Sequence, residues 1–219
     1  MTFCLETKLI KPDFDNEIKN IVVLLHGYGG DGNDIAQVSL NWKRFLPNTL
    51  FVCPNAPEIC PINPSGYQWF DLSQDEEGFI LNESKKNEIV LKDFLKEIKK
   101  EFAISNSKIC LSGFSQGCMM SINVGLSSDE KYSGILGFSG KIINKKDLSQ
   151  RMTFKSETLL IHGENDDIVP CVNSLEAKDF LERNKVPVKL EIVKNCGHHI
   201  PIEASSLGLK FIKKIFDIN

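Results

Sequence analysis

The pentapeptide GFSQG, from Gly113 to Gly117, is the segment best suited to covalent chemistry. Ser115 stands at its centre, after a predicted strand at 108–112 and before a predicted helix at 116–126. The motif alone is weak, and this strand–turn–helix context gives it weight. Flanking glycines permit a strained turn that exposes the hydroxyl in front of a helix N-terminus, where backbone N–H groups can stabilise an oxyanion. Ser115 is therefore a candidate nucleophile.

A serine hydroxyl is a weak nucleophile until a base accepts its proton. The chain has four histidines, at 26, 162, 198 and 199. Enzymes with this serine turn carry nucleophile, acid and base in that order along the chain, which requires a histidine after a late strand. His198 and His199 follow a predicted strand at 188–193. A pair of surface histidines on a loop is the alternative interpretation.

The acid of such a triad should follow the preceding strand. The segment HGENDDIVP, residues 162–170, comes directly after a predicted strand at 158–161 and carries Glu164, Asp166 and Asp167. A buried carboxylate here would orient the histidine and stabilise its imidazolium form. Ordinary capping of the next helix is the alternative role for these acids.

A glycine-rich turn, HGYGG at residues 26–30, follows a predicted strand at 21–25. Such a turn can supply a second backbone N–H to an oxyanion. A phosphate-binding loop is the alternative, but neither G-x-G-x-x-G nor Gly-Lys-Ser/Thr occurs here. All the candidate segments follow strands, and ligands of open parallel sheets bind at the carboxyl ends of strands.

Short apolar runs alternate with amphipathic stretches along the chain, which predicts a mostly parallel α/β sheet with helices on both faces. The predicted strands are 21–25, 50–53, 108–112, 133–138, 158–161 and 188–193, the last alternating as an edge strand does. The predicted helices are 34–46, 83–102, 116–126, 171–184 and 201–216. Residues 54–82 interrupt this alternation and are predicted to form a long functional loop that selects the substrate.

Length and composition limit the possibilities further. The 219 residues are expected to form a single domain, residues 1–219. The net charge of −3 gives no basic excess, so a nucleic-acid partner is not expected. Seven cysteines without a C-x-x-C pair argue against a zinc site or a disulfide framework. With no evident signal peptide or transmembrane segment, we expect a cytoplasmic protein.

Together these segments resemble the phospholipase/carboxylesterase branch of the α/β-hydrolases, which includes the acyl-protein thioesterases. The resemblance runs from about residue 21 to 216. It is carried by LLHGYGGDG, the Trp69-Phe70-Asp71 loop, LSGFSQGC, HGENDDIVP and CGHHI. It implies an α/β-hydrolase fold, for which 219 residues leave no room for a separate lid domain. It also implies hydrolysis of carboxylic esters or thioesters through an acyl-enzyme, without a metal or an organic cofactor.

Carried over onto this chain, the motifs imply Ser115 as nucleophile, Asp166 as acid and His198 as base. They imply backbone N–H groups of Tyr28 and Gln116 as the oxyanion hole. The acyl pocket would be lined by Trp69, Phe70 and Leu72. The chain departs from the family pattern at Asp167 and His199, which stand beside the acid and the base, and at Cys118, which replaces a glycine after the serine turn.

The expected partner is a small-molecule ester or acyl-thioester, with lipids and acylated proteins among the candidates and a homodimer as a candidate assembly. A peptidase or another acyl-transfer enzyme with the same triad is the first alternative, because triad geometry does not determine the leaving group. A non-catalytic binding protein that kept the fold is the second, although no triad residue has been lost.

Overall fold

A computed structural model describes residues 3–13, 16–74 and 76–218. The strands are β1 (Thr7–Ile10), β2 (Asn20–Leu25), β3 (Thr49–Pro54), β4 (Glu58–Cys60), β5 (Asn63–Gln68), β6 (Ile109–Phe114), β7 (Gly134–Phe138), β8 (Thr158–Gly163) and β9 (Val188–Val193). Seven of them form one sheet in the order β1-β3-β2-β6-β7-β8-β9, and β4 and β5 form a separate hairpin. Within the sheet only β1 runs antiparallel to its neighbour.

The helices cover both faces of this sheet. They are α1 (Gly32–Trp42), α2 (Glu77–Glu101), α3 (Gln116–Leu126), α4 (Lys145–Arg151), α5 (Val172–Arg183) and α6 (Ile202–Ile215). Alternate residues of a strand point to opposite faces. In β2, Ile21 and Val23 therefore pack towards α2 and α3, whereas Val22 packs towards α1 and α6. No described helix has both the length and the apolar composition to cross a bilayer.

The predicted architecture is confirmed. All six predicted strands and all five predicted helices are present, and the sheet is mostly parallel with helices on both faces. The alternating strand, β9, lies at an edge as expected. The described residues form no separate lid. Because successive parallel strands carry their carboxyl ends to one edge, this topology brings the candidate segments together.

The prediction of one long loop at 54–82 is wrong. Its described part contains the β4–β5 hairpin, and α2 begins at Glu77, while residue 75 lies outside the described residues. The β5 sequence, NPSGYQ, has proline and glycine and lacks the alternation that predicts a strand. Its extended form depends on tertiary pairing, with β4 on one side and a bridge from Tyr67 to Gly30 on the other.

Two short elements were not expected from the sequence. Strand β1 has four residues and pairs antiparallel with β3. Helix α4 has seven residues and begins after Asn144, whose side chain accepts the N–H of Asp147 at 2.7 Å. Elements this short carry too few apolar positions for a periodic pattern to emerge.

Candidate active site

Ser115 occupies a strained turn between β6 and α3. Its backbone has φ 54° and ψ −117°, outside the regions that non-glycine residues ordinarily adopt. The Ser115 N–H donates to the carbonyl of Phe138 at 2.9 Å, which anchors the turn to the end of β7. Residues in such conformations persist only where the surroundings hold them, and they cluster at active sites.

The glycines around Ser115 allow a very close backbone approach. A Cβ atom at Gly117 would lie 2.2 Å from the carbonyl oxygen of Leu25, and one at Gly113 would lie 2.3 Å from the Gly117 carbonyl. Both distances are far below contact, so neither position admits a side chain. The start of α3 is thereby pressed against the end of β2. A Cβ at Gly27 would lie 3.3 Å from that of Ser115, so the turn after β2 borders the serine.

Asp166 and His198 form a tight pair beside this turn. His198 Nδ1 lies 2.7 Å from Asp166 Oδ2, and the Asp166 side chain is completely buried. Asp166 Oδ1 accepts the N–H groups of Val169 at 2.8 Å and Ile168 at 3.1 Å. Burial raises the pKa of Asp166, but the hydrogen bonds from His198 and Val169 outweigh it and hold that pKa below its usual range. The carboxylate therefore stays ionised.

The other acids and the second histidine occupy different surroundings. Glu164 and Asp167 are exposed, and Glu164 accepts the N–H of Asn195 at 3.3 Å. His199 is exposed, with its Nε2 atom 4.0 Å from the Cys196 sulfur. The His198 ring packs on Phe114, the residue before the serine, with ring centroids 4.7 Å apart. The structure thus brings Asp166 and His198 together beside the turn that carries Ser115, as the resemblance implies.

His162 is a component of the site that the sequence analysis did not identify. Its Nε2 atom lies 2.7 Å from the Val169 carbonyl and 3.2 Å from Asp166 Oδ2, so Nε2 carries a proton and donates it. Nδ1 lies 2.6 Å from the Ser174 hydroxyl, from which it accepts. Burial lowers the pKa of His162, which favours this neutral form. A histidine inside an apolar strand, four residues before an acid, was the available signal.

Two unused backbone donors lie where an oxyanion hole is expected. The N–H groups of Gly29 and Gly30 donate to the carbonyls of Tyr67 and Gly27. In contrast, the N–H groups of Tyr28 and Gln116 donate to no protein atom in the described part of the chain. Gln116 is the first residue of α3, where the helix dipole adds positive potential. These two N–H groups are available to a bound anion.

Trp69 joins the two segments that carry these donors. Its indole Nε1–H donates to the His26 carbonyl at 3.0 Å, and its backbone N–H donates to Gln116 Oε1 at 2.9 Å. The Gln116 amide in turn donates to the Phe70 carbonyl at 2.9 Å. Asn87 on α2 donates to the Trp69 carbonyl, also at 2.9 Å. Trp69 therefore holds the turn after β2 and the start of α3 in one arrangement.

An apolar cavity of about 310 Å³ opens beside His198. It is formed by the 26–30 turn, by α1, by Phe114 and by residues 198–200. Trp69 and Phe70 do not line it, because their side chains are 0% and 1% exposed and belong to the core. Leu72 is 43% exposed and also lies outside this cavity. The role of Trp69, Phe70 and Leu72 in an acyl pocket stays a prediction.

His26, the first residue of the turn after β2, is buried and is held neutral. Its Nε2 atom accepts the N–H of Ala56 at 2.9 Å, and Nδ1 lies 2.7 Å from the Gly27 carbonyl, to which it donates. Burial is the main cause that lowers the pKa of His26. Protonation of the ring is opposed further because a proton on Nε2 would point at the Ala56 N–H. The neutral ring thus links the turn after β2 to the segment after β3.

Comparison with known proteins identifies the family of this chain. The model of the phospholipase/carboxylesterase family matches residues 10–216. The chain belongs to this family. The predicted family and α/β-hydrolase fold are confirmed, and so is the reaction class, the hydrolysis of esters or thioesters.

Individual relatives of the chain support the same family. Acyl-protein thioesterase 1 of Gibberella zeae is 32% identical over 210 residues, which cover 88% of this chain and 89% of the relative. Esterase YpfH of Escherichia coli is 22% identical, over 91% and 84% of the two chains. The crystal structure of esterase PE8 superposes with a TM-score of 0.92 at 35% identity, over 96% and 99% of the chains.

The hydrogen bonds of Trp69 lead to a prediction about turnover. In Trp69→Phe the ring is largely kept but the donor to the His26 carbonyl is lost, so the two backbone donors should lose their alignment. We expect kcat to fall about 10- to 100-fold with a change in KM of less than about threefold. Steady-state kinetics on a p-nitrophenyl ester measures both.

Trp42→Phe is a matched control for this variant. Trp42 is also buried, but its indole N–H donates to the Ser205 carbonyl at 3.0 Å and not to the turn after β2. Trp42→Phe should lose about as much stability as Trp69→Phe and keep the kcat of the parent chain. Equal losses of kcat in both variants would contradict the role assigned to Trp69.

The neutral His26 predicts how stability depends on pH. The unfolded chain takes up a proton near pH 6.5, whereas the folded chain resists it because the folded pKa is lowered. The free energy of unfolding should therefore decrease as the pH falls from 6.5 to 5, by up to about 1.4 kcal/mol per pH unit for this group. Urea unfolding at several pH values measures the slope, which should be shallower in His26→Gln. An identical slope in the variant would exclude His26 as its source.

Proposed function

We propose that Ser115, His198 and Asp166 form the catalytic triad of an enzyme that hydrolyses carboxylic esters or thioesters. The observation that carries this proposal is the 2.7 Å contact between His198 Nδ1 and buried Asp166, beside the strained serine turn. An acid that accepts from Nδ1 selects the imidazole tautomer whose Nε2 atom is free to act as a base.

In the first step His198 Nε2 removes the Ser115 proton while Oγ attacks the acyl carbonyl carbon. The carbonyl π electrons move to oxygen, and the N–H groups of Tyr28 and Gln116 stabilise the resulting oxyanion. In the described residues the Ser115 hydroxyl makes no hydrogen bond with protein. Contacts between nucleophile and base are often long before substrate binds and shorten in the complex.

In the second step the imidazolium of His198 protonates the departing oxygen or sulfur, and the tetrahedral intermediate collapses to an acyl-enzyme. Water then attacks the Ser115 ester, with His198 again accepting the proton and returning it to Oγ. The negative charge of Asp166 stabilises both imidazolium stages. Its lowered pKa supports this role, because the carboxylate stays ionised throughout the cycle.

The substrate is an acyl ester or thioester, and the relatives named acyl-protein thioesterase make acylated proteins candidates alongside small molecules. A cytoplasmic location is part of the proposal. It is supported by seven cysteines that are all free thiols, five of them buried. Thiols persist in reducing compartments. Association into a homodimer stays a prediction.

The nucleophile is tested by Ser115→Ala. The variant should fold and lose roughly 10⁴- to 10⁶-fold in kcat/KM on p-nitrophenyl esters, because no atom remains to carry the acyl group. A fluorophosphonate probe should label the parent chain and leave the variant unlabelled.

Ser139→Ala serves as the control for backbone effects. Ser139 is also a buried serine with a positive φ, 49°, at the end of β7. It should keep its activity within a few-fold and stay reactive with the probe. Full activity in Ser115→Ala would refute the proposed mechanism.

The acid is tested by Asp166→Asn against Asp167→Asn. The amide keeps the size of Asp166 but can donate to His198 Nδ1, which would place the proton on Nε2 and abolish the base. We expect a loss of about 10⁴-fold in kcat. Asp167 is exposed, so Asp167→Asn should change kcat less than about threefold. Reversed effects would assign the acid to Asp167.

A further inference from the structure

The cavity beside His198 is lined both by residues of the proposed mechanism and by apolar side chains. Tyr28 and His198 line it, together with Phe114, the residue before Ser115. Ile35 and Val38, both on α1, and Ile200, just before α6, are apolar parts of its wall. Ile35 is 6% exposed and belongs to the core. A group in the cavity would therefore lie between α1 and the segment that carries the catalytic base.

The position of His198 decides which part of a substrate the cavity can receive. The base must protonate the departing atom, so that atom lies within hydrogen-bond distance of the imidazole. The oxyanion points at the N–H groups of Tyr28 and Gln116. A substituent on the departing atom then lies beside His198, and the cavity is lined by this ring and by the following residues His199 and Ile200.

The lining also restricts the charge of that substituent. Among the described residues that form the cavity there is no lysine or arginine. The one carboxylate is Asp34, which is exposed at the rim. An anionic group such as a carboxylate or phosphate would find no lysine or arginine to pair with and would be repelled by Asp34. An apolar group would bury surface against Ile35, Val38 and Phe114.

We propose that this cavity is the leaving-group subsite, and that it selects esters and thioesters whose alcohol or thiol is apolar and uncharged. The assignment rests on the proposed function, since it requires His198 to be the general acid. A volume of about 310 Å³ accommodates a short branched chain or a single ring. The acyl group then lies on the other side of Ser115.

The test separates the two halves of the substrate. One series of butyrate esters varies the alcohol from methyl to butyl and benzyl, and a second series of methyl esters varies the acyl group from acetyl to octanoyl. Both are measured with the parent chain, with Val38→Phe, which fills the cavity, and with Gln37→Phe, which adds the same ring at an exposed position of α1.

In Val38→Phe the ratio of kcat/KM for the benzyl ester to that for the methyl ester should fall at least tenfold, with little change in the acyl-length profile. Gln37→Phe should reproduce both parental profiles. A changed acyl profile with an unchanged alcohol ratio would assign the cavity to the acyl chain and overturn the proposal. An absence of hydrolysis by the parent chain would instead contradict the proposed function.

The charge preference is tested with 4-carboxybenzyl butyrate against the neutral benzyl ester. The parent chain should prefer the neutral ester, and Asp34→Asn should reduce that preference several-fold, because the carboxylate at the rim is removed. Both effects should diminish at high ionic strength. Equal rates for the two esters in the parent chain would refute the charge part of the proposal.

Discussion

The contact between Gly117 and the carbonyl of Leu25 is the constraint on which the rest of the site depends. It presses the first turn of α3 against the end of β2, at a distance that admits no side chain at Gly117. Ser115 is consequently held at φ 54°, with its N–H bonded to β7 rather than to the helix. The same contact places the start of α3 beside the turn after β2, so two backbone donors from distant parts of the chain become neighbours.

Trp69 makes that arrangement rigid. Without it, the turn after β2 would be held by its bridge to Tyr67 and by the bond of His26 to the Ala56 N–H, and neither contact reaches the start of α3. The indole bond to the His26 carbonyl and the paired bonds with Gln116 connect both donor segments to one buried residue. Preorganised donors cost no reorganisation when charge develops, which is the condition for strong oxyanion stabilisation. A buried aromatic residue can therefore affect turnover without contacting the substrate.

The six longer strands of the main sheet and five of its helices could be predicted because each is long enough for an apolar pattern to emerge, whereas the short β1 and α4 could not. The segments that carry Ser115, the acids at 164–167 and the two histidines at 198 and 199 could be predicted because each follows such a strand in a characteristic order, and the family resemblance then selected Asp166 and His198. The hairpin β4–β5 could not, because Asn63–Gln68 is extended only through its tertiary partners. The burial of Trp69 and the contact of His162 with Asp166 were equally hidden, since both depend on distances across the fold rather than on spacing along the chain.

The surroundings of Asp166 explain why, in the proposed cycle, only the charge of His198 changes beside this carboxylate. One carboxylate oxygen accepts two backbone N–H groups, and the other accepts from His198 and His162. These donors offset the cost of burying the charge, so the pKa of Asp166 is lowered although desolvation acts in the opposite direction. His162 contributes its proton while remaining neutral, because its own pKa is lowered by burial. A positive charge beside the carboxylate can therefore appear only on His198, at the moment when the Ser115 proton is transferred.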